Sequence, residues 1–323
     1  MKKNNDIFSN KGSTYYSSST RSKGLFIKVI LVLTIGSALG FGIFKLLGED
    51  KFTSRTPIVV DTIPEETPME EEVTVAVKPE DLVEESNHIH KAAEYAYSTK
   101  DVRNWITGVE PYTGEKIAFL TFDDGPSPAN TGKLLDILKE KEAAATFFII
   151  GTSIDNNNNS GEVLNRILDE GSAIGLHSYT HVYDKLYPDK TGDKVFIKEE
   201  IDRLQERIRE VTGKDDFKSH VFRYPGGHMT WKGLEEVDAH LAEDGIEYVD
   251  WNAMNGDSEP TSRRPKDAET TANFVMESLV YSPVKNVMVV LMHDAENKGL
   301  TLESLPMIID TLKNEGYKFG ILK

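Results

Sequence analysis

From Lys116 to the end of the chain, short apolar runs rich in β-branched residues alternate with longer segments in which apolar residues recur every three or four positions. The short runs predict seven strands: Ile117–Phe122, Ala145–Ile150, Ala173–Leu176, His220–Phe222, Ile246–Val249, Val287–Met292 and Phe319–Leu322. The longer segments predict the helices between them: Thr131–Lys141, Val163–Glu170, Lys198–Val211, Leu234–Glu243, Ala268–Leu279 and Leu302–Lys313. Strands that alternate with helices predict an α/β domain over residues 116–323, with a parallel sheet that is either a barrel or an open doubly wound sheet.

The chain before this domain contains one long apolar run, Val29–Leu47. Its only charged residue is Lys45, and its 19 residues would extend about 28 Å as a helix, close to the thickness of a hydrocarbon layer. We therefore expect a transmembrane anchor over residues 29–47; a cleaved signal peptide, favoured by small residues such as Ala38, is the alternative. Residues 1–28 carry six Lys or Arg and one Asp, a net charge of +5, which predicts a cytoplasmic tail and an extracellular carboxyl-terminal domain.

Two segments connect the predicted anchor to the predicted domain. Residues 48–87 are acidic and contain four prolines, a composition too polar to build a core, so we expect a disordered and rather stiff linker. Residues 88–115 are expected to form one or two helices before the domain. The sequence does not show what these helices do.

Composition narrows the possible functions. The chain has 37 Lys and Arg against 53 Asp and Glu, a formal net charge of −16, which disfavours contact with a phosphate backbone, so we expect no nucleic-acid partner. It has no cysteine, which excludes disulfides, thiolate zinc sites and a cysteine nucleophile. Any bound metal must therefore be held by His, Asp or Glu.

Polar residues follow several of the predicted strands. Asp123 and Asp124 end the first strand, in the segment TFDDGP, although adjacent acids in such a turn are also common as solvated residues. His177 and His181, in the segment HSYTH after the third strand, are four residues apart, and on a helical turn they would face the same way. Together with one carboxylate they would form a His₂Asp metal site with open positions for water and substrate, as Lewis-acid hydrolysis requires.

Three further strand ends carry polar residues. Arg223 stands in RYPGG, where it could hold a carboxylate in a bidentate pair, and Gly226 could let a backbone N–H approach a substrate oxygen. Asp250 and Trp251 follow the fifth strand, and His293, in LMH, ends the sixth. Each could be structural on its own. The carboxyl ends of parallel strands meet at one edge, however, so polar residues at five of them indicate an active site.

The segments TFDDGP, HSYTH, RYPGG, DW and LMH occur in the order found in NodB-homology polysaccharide deacetylases, carbohydrate esterase family 4, and residues 116–323 resemble that family. The resemblance implies a distorted (β/α) barrel of about seven parallel strands. It also implies hydrolysis of an acetyl group with one divalent metal ion, zinc or alternatively cobalt, nickel or manganese. The implied residue roles are the metal ligands Asp124, His177 and His181, the general base Asp123 oriented by Arg223, and the general acid His293 supported by Asp250.

The resemblance also assigns residues that would contact the substrate. It implies that Trp251 and Leu291 wall the acetyl methyl group and that the Gly226 N–H stabilises the oxyanion. Family members often have an aromatic residue where Gly226 stands, so an aromatic platform for the sugar must come from elsewhere. His228 and Trp231, just after RYPGG, are candidates for lining the glycan groove.

The predicted anchor favours a substrate in the cell's own wall. We therefore expect removal of N-acetyl groups from N-acetylglucosamine in peptidoglycan, by a single-pass membrane protein whose catalytic domain lies at a Gram-positive-type surface. The alternatives are an O-acetyl esterase on a xylan-like polysaccharide, a deacetylase of chitin or poly-N-acetylglucosamine, and a non-catalytic wall-binding protein. The last of these would be expected to lack a metal ligand or the base.

Overall fold

A curled parallel sheet forms the centre of the structure, a computed structural model that describes residues 76–323. The strands are, in chain order, β1 (Ala96–Tyr97), β2 (Ile117–Gly125), β3 (Ala145–Ile149), β4 (Ala173–Leu176), β5 (Val221–Phe222), β6 (Glu247–Tyr248), β7 (Ala253–Met254), β8 (Val287–His293), β9 (Lys318–Phe319) and β10 (Ile321–Leu322). The main sheet has the order β6-β5-β4-β3-β2-β8-β7, with β9 also paired to β2, and β1 pairs separately with β10. All of these pairings are parallel.

The sheet must curl because its two edge strands are close in sequence. Strands β6 and β7 lie at opposite edges, yet only residues 249–252 separate them. An extended chain spans at most about 3.6 Å per residue, so these edges lie within about 18 Å of each other. The sheet therefore forms a half-barrel, which agrees with the expected α/β class and is consistent with a distorted (β/α) barrel.

Helices surround the sheet, and most of them cover its outer face, whereas the first in the chain packs on a hydrophobic cluster inside the curl. They are α1 (Thr99–Thr107), α2 (Thr131–Glu140), α3 (Gly151–Asp155), α4 (Ser160–Asp169), α5 (Tyr183–Leu186), α6 (Lys194–Thr212), α7 (Leu234–Ala242), α8 (Ala268–Leu279) and α9 (Gly299–Asn314). All six predicted helices are present, and α8 has the predicted bounds. Helix α6 begins four residues before its predicted start because the Asp193 side chain accepts hydrogen bonds from the N–H groups of Val195 and Phe196 and so caps the helix there.

The alternation of side chains along β2 separates two hydrophobic layers. Ala118, Leu120 and Phe122 belong to the large core between the sheet and the outer helices, whereas Ile117 and Phe119 belong to a smaller cluster inside the curl. Successive residues of a strand point to opposite faces, so the inner face continues with Thr121 and Asp123. The apolar interior thus gives way to polar residues at the carboxyl end of the strand.

Residues 88–115 belong to the same folded unit as residues 116–323. They contain a 3₁₀ turn (His90–Tyr95), β1 and α1, so the expected one or two helices are one α-helix and a 3₁₀ turn. On α1, Val102 and Ile106 are buried and join the cluster inside the curl. This segment therefore covers the end of the half-barrel opposite the polar strand ends.

Some short elements differ from the prediction. Strand β7 has only two residues and was not predicted, and the predicted strand Phe319–Leu322 is divided at Gly320 into β9 and β10, which pair with different strands.

Among residues 76–323 no helix is both long enough and apolar enough to cross a bilayer. The predicted anchor, residues 29–47, and most of the predicted linker lie outside the described residues.

Candidate active site

A β-bulge at the end of β2 places two adjacent carboxylates in one site. The register of β2 against β3 shifts between Asp123 and Gly125, and Asp124 has a φ of 80°. In a regular strand the two side chains would point to opposite faces, whereas the extra residue of a bulge redirects one of them. As a result, Asp123 Oδ2 and Asp124 Oδ1 each lie 3.8 Å from His177 Nε2.

Asp124, His177 and His181 form a set that could hold a metal ion. One ligand atom from each lies within 4.8 Å of the others, and Asp124 Oδ1 is 3.6 Å from His181 Nε2. His177 Nδ1 is 2.7 Å from the Arg223 carbonyl oxygen, so an Nδ1–H donated there leaves Nε2 free to face the carboxylates. Burial, helped by His181, lowers the pKa of His177 to about 3, so its imidazole is neutral. A neutral imidazole, a second histidine and a carboxylate fit a divalent ion.

The two histidines do not lie on a helical turn, so that part of the prediction is wrong. His177 follows β4 directly, and the segment to His181 is a loop in which Ser178 and His181 have φ values of 68° and 55°. The Ser178 hydroxyl accepts a hydrogen bond of 3.0 Å from the His181 N–H. The left-handed backbone, and not the helical period, brings the two Nε2 atoms to the same point.

Glu200, on α6, anchors this loop from below. Its Oε2 atom accepts hydrogen bonds from the Tyr179 N–H at 3.1 Å, the Thr180 N–H at 2.6 Å and the Thr180 hydroxyl at 2.8 Å. Glu200 is only 4% exposed. All three donors lie between the two histidines, so Glu200 fixes the loop that presents them.

Arg223 orients Asp123 from the floor of the site. Its guanidinium is fully buried, and Nη1 donates to Asp123 Oδ1 at 2.8 Å and to the Thr121 hydroxyl at 2.7 Å. The expected bidentate pair is therefore replaced by one contact to the carboxylate and one to Thr121. This arrangement occupies Oδ1 of Asp123 and leaves Oδ2 directed toward the histidines.

His293 lies across from Asp123, because the two residues are register partners in β2 and β8. Its Nδ1 atom is 2.7 Å from Asp257 Oδ1, and its backbone N–H donates to Asp257 Oδ2 at 2.9 Å. Burial alone would disfavour the imidazolium, but the hydrogen bond to Asp257 and the charge of that carboxylate outweigh it and raise the pKa of His293. The remaining Nε2 atom is thus free for the site.

The expectation that Asp250 supports His293 is corrected. The Asp250 carboxylate accepts the His228 N–H at 3.0 Å, and its carbonyl accepts from Arg223 Nη2 at 3.2 Å. Asp250 follows β6 at one edge of the sheet, whereas Asp257 follows β7, which pairs with β8. Asp250 therefore stabilises the RYPGG loop and Arg223, and Asp257 takes the predicted place beside His293.

Gly226 occupies a tight turn with a positive φ. The Gly227 N–H donates to the Tyr224 carbonyl at 2.8 Å, and Gly226 has a φ of 80°, as at the third position of a type II turn after proline. In the part of the chain that the structure describes, no acceptor is paired with the Gly226 N–H. An exposed, unpaired N–H at this point is suited to an oxyanion. That role stays a prediction.

Trp251 and Leu291 both border the site. Leu291 is two residues before His293 on the same face of β8, and the Trp251 ring lies 5.7 Å from the Arg223 guanidinium carbon. Their expected contact with an acetyl methyl group stays a prediction. Except for Asp250, the residues predicted from the strand ends thus lie around one centre.

A model of the polysaccharide deacetylase family matches residues 110–248. A peptidoglycan-N-acetylglucosamine deacetylase of Bacillus cereus is 33% identical over 214 residues, which cover 64% of this chain and 85% of that protein. The chain belongs to this family. A carbohydrate esterase family 4 (CE4) esterase from Streptococcus mutans has a similar structure, with a TM-score of 0.72 and 42% identity over 76% of this chain and all of that one.

The catalytic domain of a peptidoglycan N-acetylglucosamine deacetylase from Eubacterium rectale is also similar, with a TM-score of 0.54 and 28% identity over 66% of this chain and 91% of that one. Membership of the polysaccharide deacetylase family confirms the resemblance found in the sequence and indicates an enzyme. It also indicates hydrolysis of an acetyl group on a polysaccharide.

Three residues that complete this deacetylase site were not predicted: Thr121, Glu200 and Asp257. Thr121 was missed because it lies within a strand, although its position two residues before Asp123 places it on the same face. Glu200 was missed because a glutamate in a polar helix usually faces water. Asp257 follows Asn255-Gly256, a turn signal that could have marked the end of a short strand.

Proposed function

We propose that this deacetylase removes the N-acetyl group of N-acetylglucosamine in peptidoglycan and depends on one divalent metal ion. The observation that carries the proposal is the meeting of five polar side chains at one edge of the sheet. They would supply the general base, the general acid and the metal ligands. Asp123 and His293 are cross-strand partners, and Asp124, His177 and His181 lie beside them. A non-catalytic wall-binding protein would have no need to keep all five.

The proposed ion would be held by Asp124, His177 and His181, and zinc suits this ligand set, with cobalt, nickel and manganese as alternatives. Bound there, it would act as a Lewis acid that polarises the acetyl carbonyl and lowers the pKa of water. The neutral His177 needs no deprotonation before it binds a metal.

Asp123 acts as the general base in this proposal. Arg223 fixes Oδ1, and Oδ2 is left to take the proton of the attacking water. As charge develops on the acetyl oxygen, the proposed backbone donor that stabilises it is the Gly226 N–H, a contribution on the order of 3 kcal/mol.

His293 acts as the general acid. An amine leaving group must be protonated as the carbon–nitrogen bond breaks, and Asp257 raises the pKa of His293 so that the imidazole carries the proton to be donated. His293 faces Asp123 across the two strands, so the base and the acid flank the same bond.

The choice of peptidoglycan rests on two further points. The relatives named above from Bacillus cereus and Eubacterium rectale are peptidoglycan N-acetylglucosamine deacetylases. The predicted anchor at residues 29–47 would hold the enzyme in the cell membrane with its catalytic domain outside, next to the wall. This location belongs to the proposal.

The test is a mass measurement on defined substrates. The protein, stripped of metal and reloaded with zinc, is incubated with muropeptides, N-acetylglucosamine oligomers and acetylated xylan. We expect muropeptides to lose one acetyl group from N-acetylglucosamine only after metal is restored. Acetate release from xylan alone would replace the proposal with the O-acetyl esterase, release from the oligomers alone would favour a chitin-type substrate, and no release would contradict an active enzyme.

A further inference from the structure

A pair of aromatic rings borders the candidate metal site on the side of Gly226. The ring of Tyr183 lies 5.1 Å from that of His181, between centroids, and Trp231 lies 5.2 Å from Tyr183. Tyr183 and Trp231, called here the aromatic platform, come from α5 and from the segment after RYPGG, so they are distant in sequence. They extend from His181, one of the candidate metal ligands, toward the outside of the site.

Glycine at position 226 leaves the aromatic platform open. A Cβ atom at this position would lie 3.3 Å from a ring carbon of Trp231 and 3.3 Å from the Tyr183 hydroxyl. The φ of 80° also disfavours any side chain there. A larger residue would therefore crowd the indole edge of Trp231 and the hydroxyl group of Tyr183, and glycine leaves this space free.

The platform is rigid because other groups hold it. Trp231 stacks on Tyr187, with ring centroids 4.0 Å apart and planes 10° from parallel, and Tyr187 is buried. The indole N–H of Trp231 donates to the Pro225 carbonyl at 2.8 Å, which fixes the ring against the turn that contains Gly226. A ring held in this way loses little entropy when a ligand binds to it.

The rings also remain accessible. Tyr183 is 41% exposed, and Trp231 is partly exposed although Tyr187 covers one of its faces. Half-exposed aromatic side chains beside a polar site present apolar faces together with hydrogen-bonding edges. A pyranose ring has the complementary chemistry, with C–H groups on its faces and hydroxyl groups around its edge.

We propose that Tyr183 and Trp231 bind a sugar ring of the polysaccharide next to the ring that carries the reacting acetyl group. This inference rests on the proposed function only in taking an amino-sugar polymer as the substrate. It assigns the aromatic platform a role in affinity for the polymer. The metal ligands, the base and the acid keep the chemistry of deacetylation.

The test measures polymer binding without turnover. The probe is a pentamer of β-1,4-linked N-acetylglucosamine, titrated by calorimetry into zinc-loaded protein that carries Asp123→Asn. We expect Trp231→Ala and Tyr183→Ala each to raise the Kd of the pentamer about tenfold or more, since each removes a large apolar contact. Trp231→Phe and Tyr183→Phe retain a ring and are expected to stay within about threefold of the parent.

Two controls accompany the titrations. Metal content by mass spectrometry shows whether an alanine variant has disturbed His181, and unchanged zinc with weaker pentamer binding is the expected result. Tyr281→Ala removes a 92% exposed tyrosine just before β8, at the other end of the strands, and is expected to change neither pentamer binding nor zinc content.

Pentamer affinity that is unchanged in both alanine variants would overturn the inference. An equal loss of pentamer affinity in Trp231→Phe and Trp231→Ala would also overturn it, since the hydrogen bond to Pro225 would then matter and not the ring. A loss of affinity that occurs only in variants that have lost zinc would overturn it as well. If the platform variants behave as expected but the unsubstituted protein releases no acetate, the proposed function fails and the sugar site stands.

Discussion

Asp124 shares a site with Asp123 because its own φ of 80° places a bulge at the end of β2. The sequence predicted both carboxylates but not the bulge, which depends on backbone angles that no side chain in TFDDGP requires. Asp257 was missed for a related reason. It reaches His293 only through β7, a strand of two residues that is too short to give a periodic pattern.

The partner of His293 can be tested through pH dependence. Asp257 raises the pKa of His293 against the opposing effect of burial, so Asp257→Asn is expected to lower it. A general acid is active while protonated, and activity is lost as the pH rises through its pKa. The alkaline limb of the profile of kcat/KM against pH should therefore move to lower pH in Asp257→Asn.

Asp250→Asn is the matched control, because the Asp250 carboxylate bonds the His228 N–H. It is expected to leave the alkaline limb in place, even if the rate falls. A profile that moves in Asp250→Asn and stays fixed in Asp257→Asn would restore the pairing that the sequence suggested.

The loop between β4 and α5 shows how one element positions another. The sequence predicted helix α6 and the importance of His177 and His181, but not that a glutamate of this helix holds the loop between them. Glu200 is buried because α6 packs beneath the loop in the folded protein. This packing is a tertiary contact and cannot be read from the sequence of the helix. Such contacts are the part of the site that periodicity does not reveal.

We expect Glu200→Gln to weaken metal binding. An amide has the same size but no charge, and it cannot accept all three hydrogen bonds as strongly, so the loop should loosen. Replacing a residue that positions metal ligands typically lowers the affinity for the metal about tenfold or more. Competition with a chelator of known affinity measures the effect.

Glu199→Gln provides the comparison on the same helix, since Glu199 is exposed. It is expected to bind metal as the unsubstituted protein does. Equal metal affinity in the two variants would remove Glu200 from its positioning role.

The described part of the chain combines a domain that the sequence predicted well with a segment that it did not. Strand and helix order over residues 116–323 followed from hydrophobic periodicity, and the meeting of strand ends followed from parallel topology. Residues 88–115 were interpreted as a segment before the domain. The role of their apolar residues is visible only in the structure, where they pack against the inner cluster, which includes residues from β2, β3, β5 and β8.

Ile106→Ala tests whether this segment is part of the fold. Ile106 is 5% exposed inside the curl, and replacing a buried isoleucine by alanine costs about 2 to 5 kcal/mol. We expect a lower free energy of unfolding in denaturant titrations. Val109→Ala, at a residue that is 72% exposed, should change it little. Equal stability of the two variants would mean that the segment packs only loosely on the half-barrel.

The division of labour between the two adjacent carboxylates is tested by measuring zinc content and deacetylation rate together in Asp123→Asn and Asp124→Asn. Asp123→Asn should keep its zinc and lose turnover by about 10² to 10⁴-fold, the usual contribution of a positioned base. Asp124→Asn should lose zinc, and excess zinc should partly restore its rate. The account is contradicted if Asp123→Asn is the variant that is purified without zinc and regains activity when zinc is added.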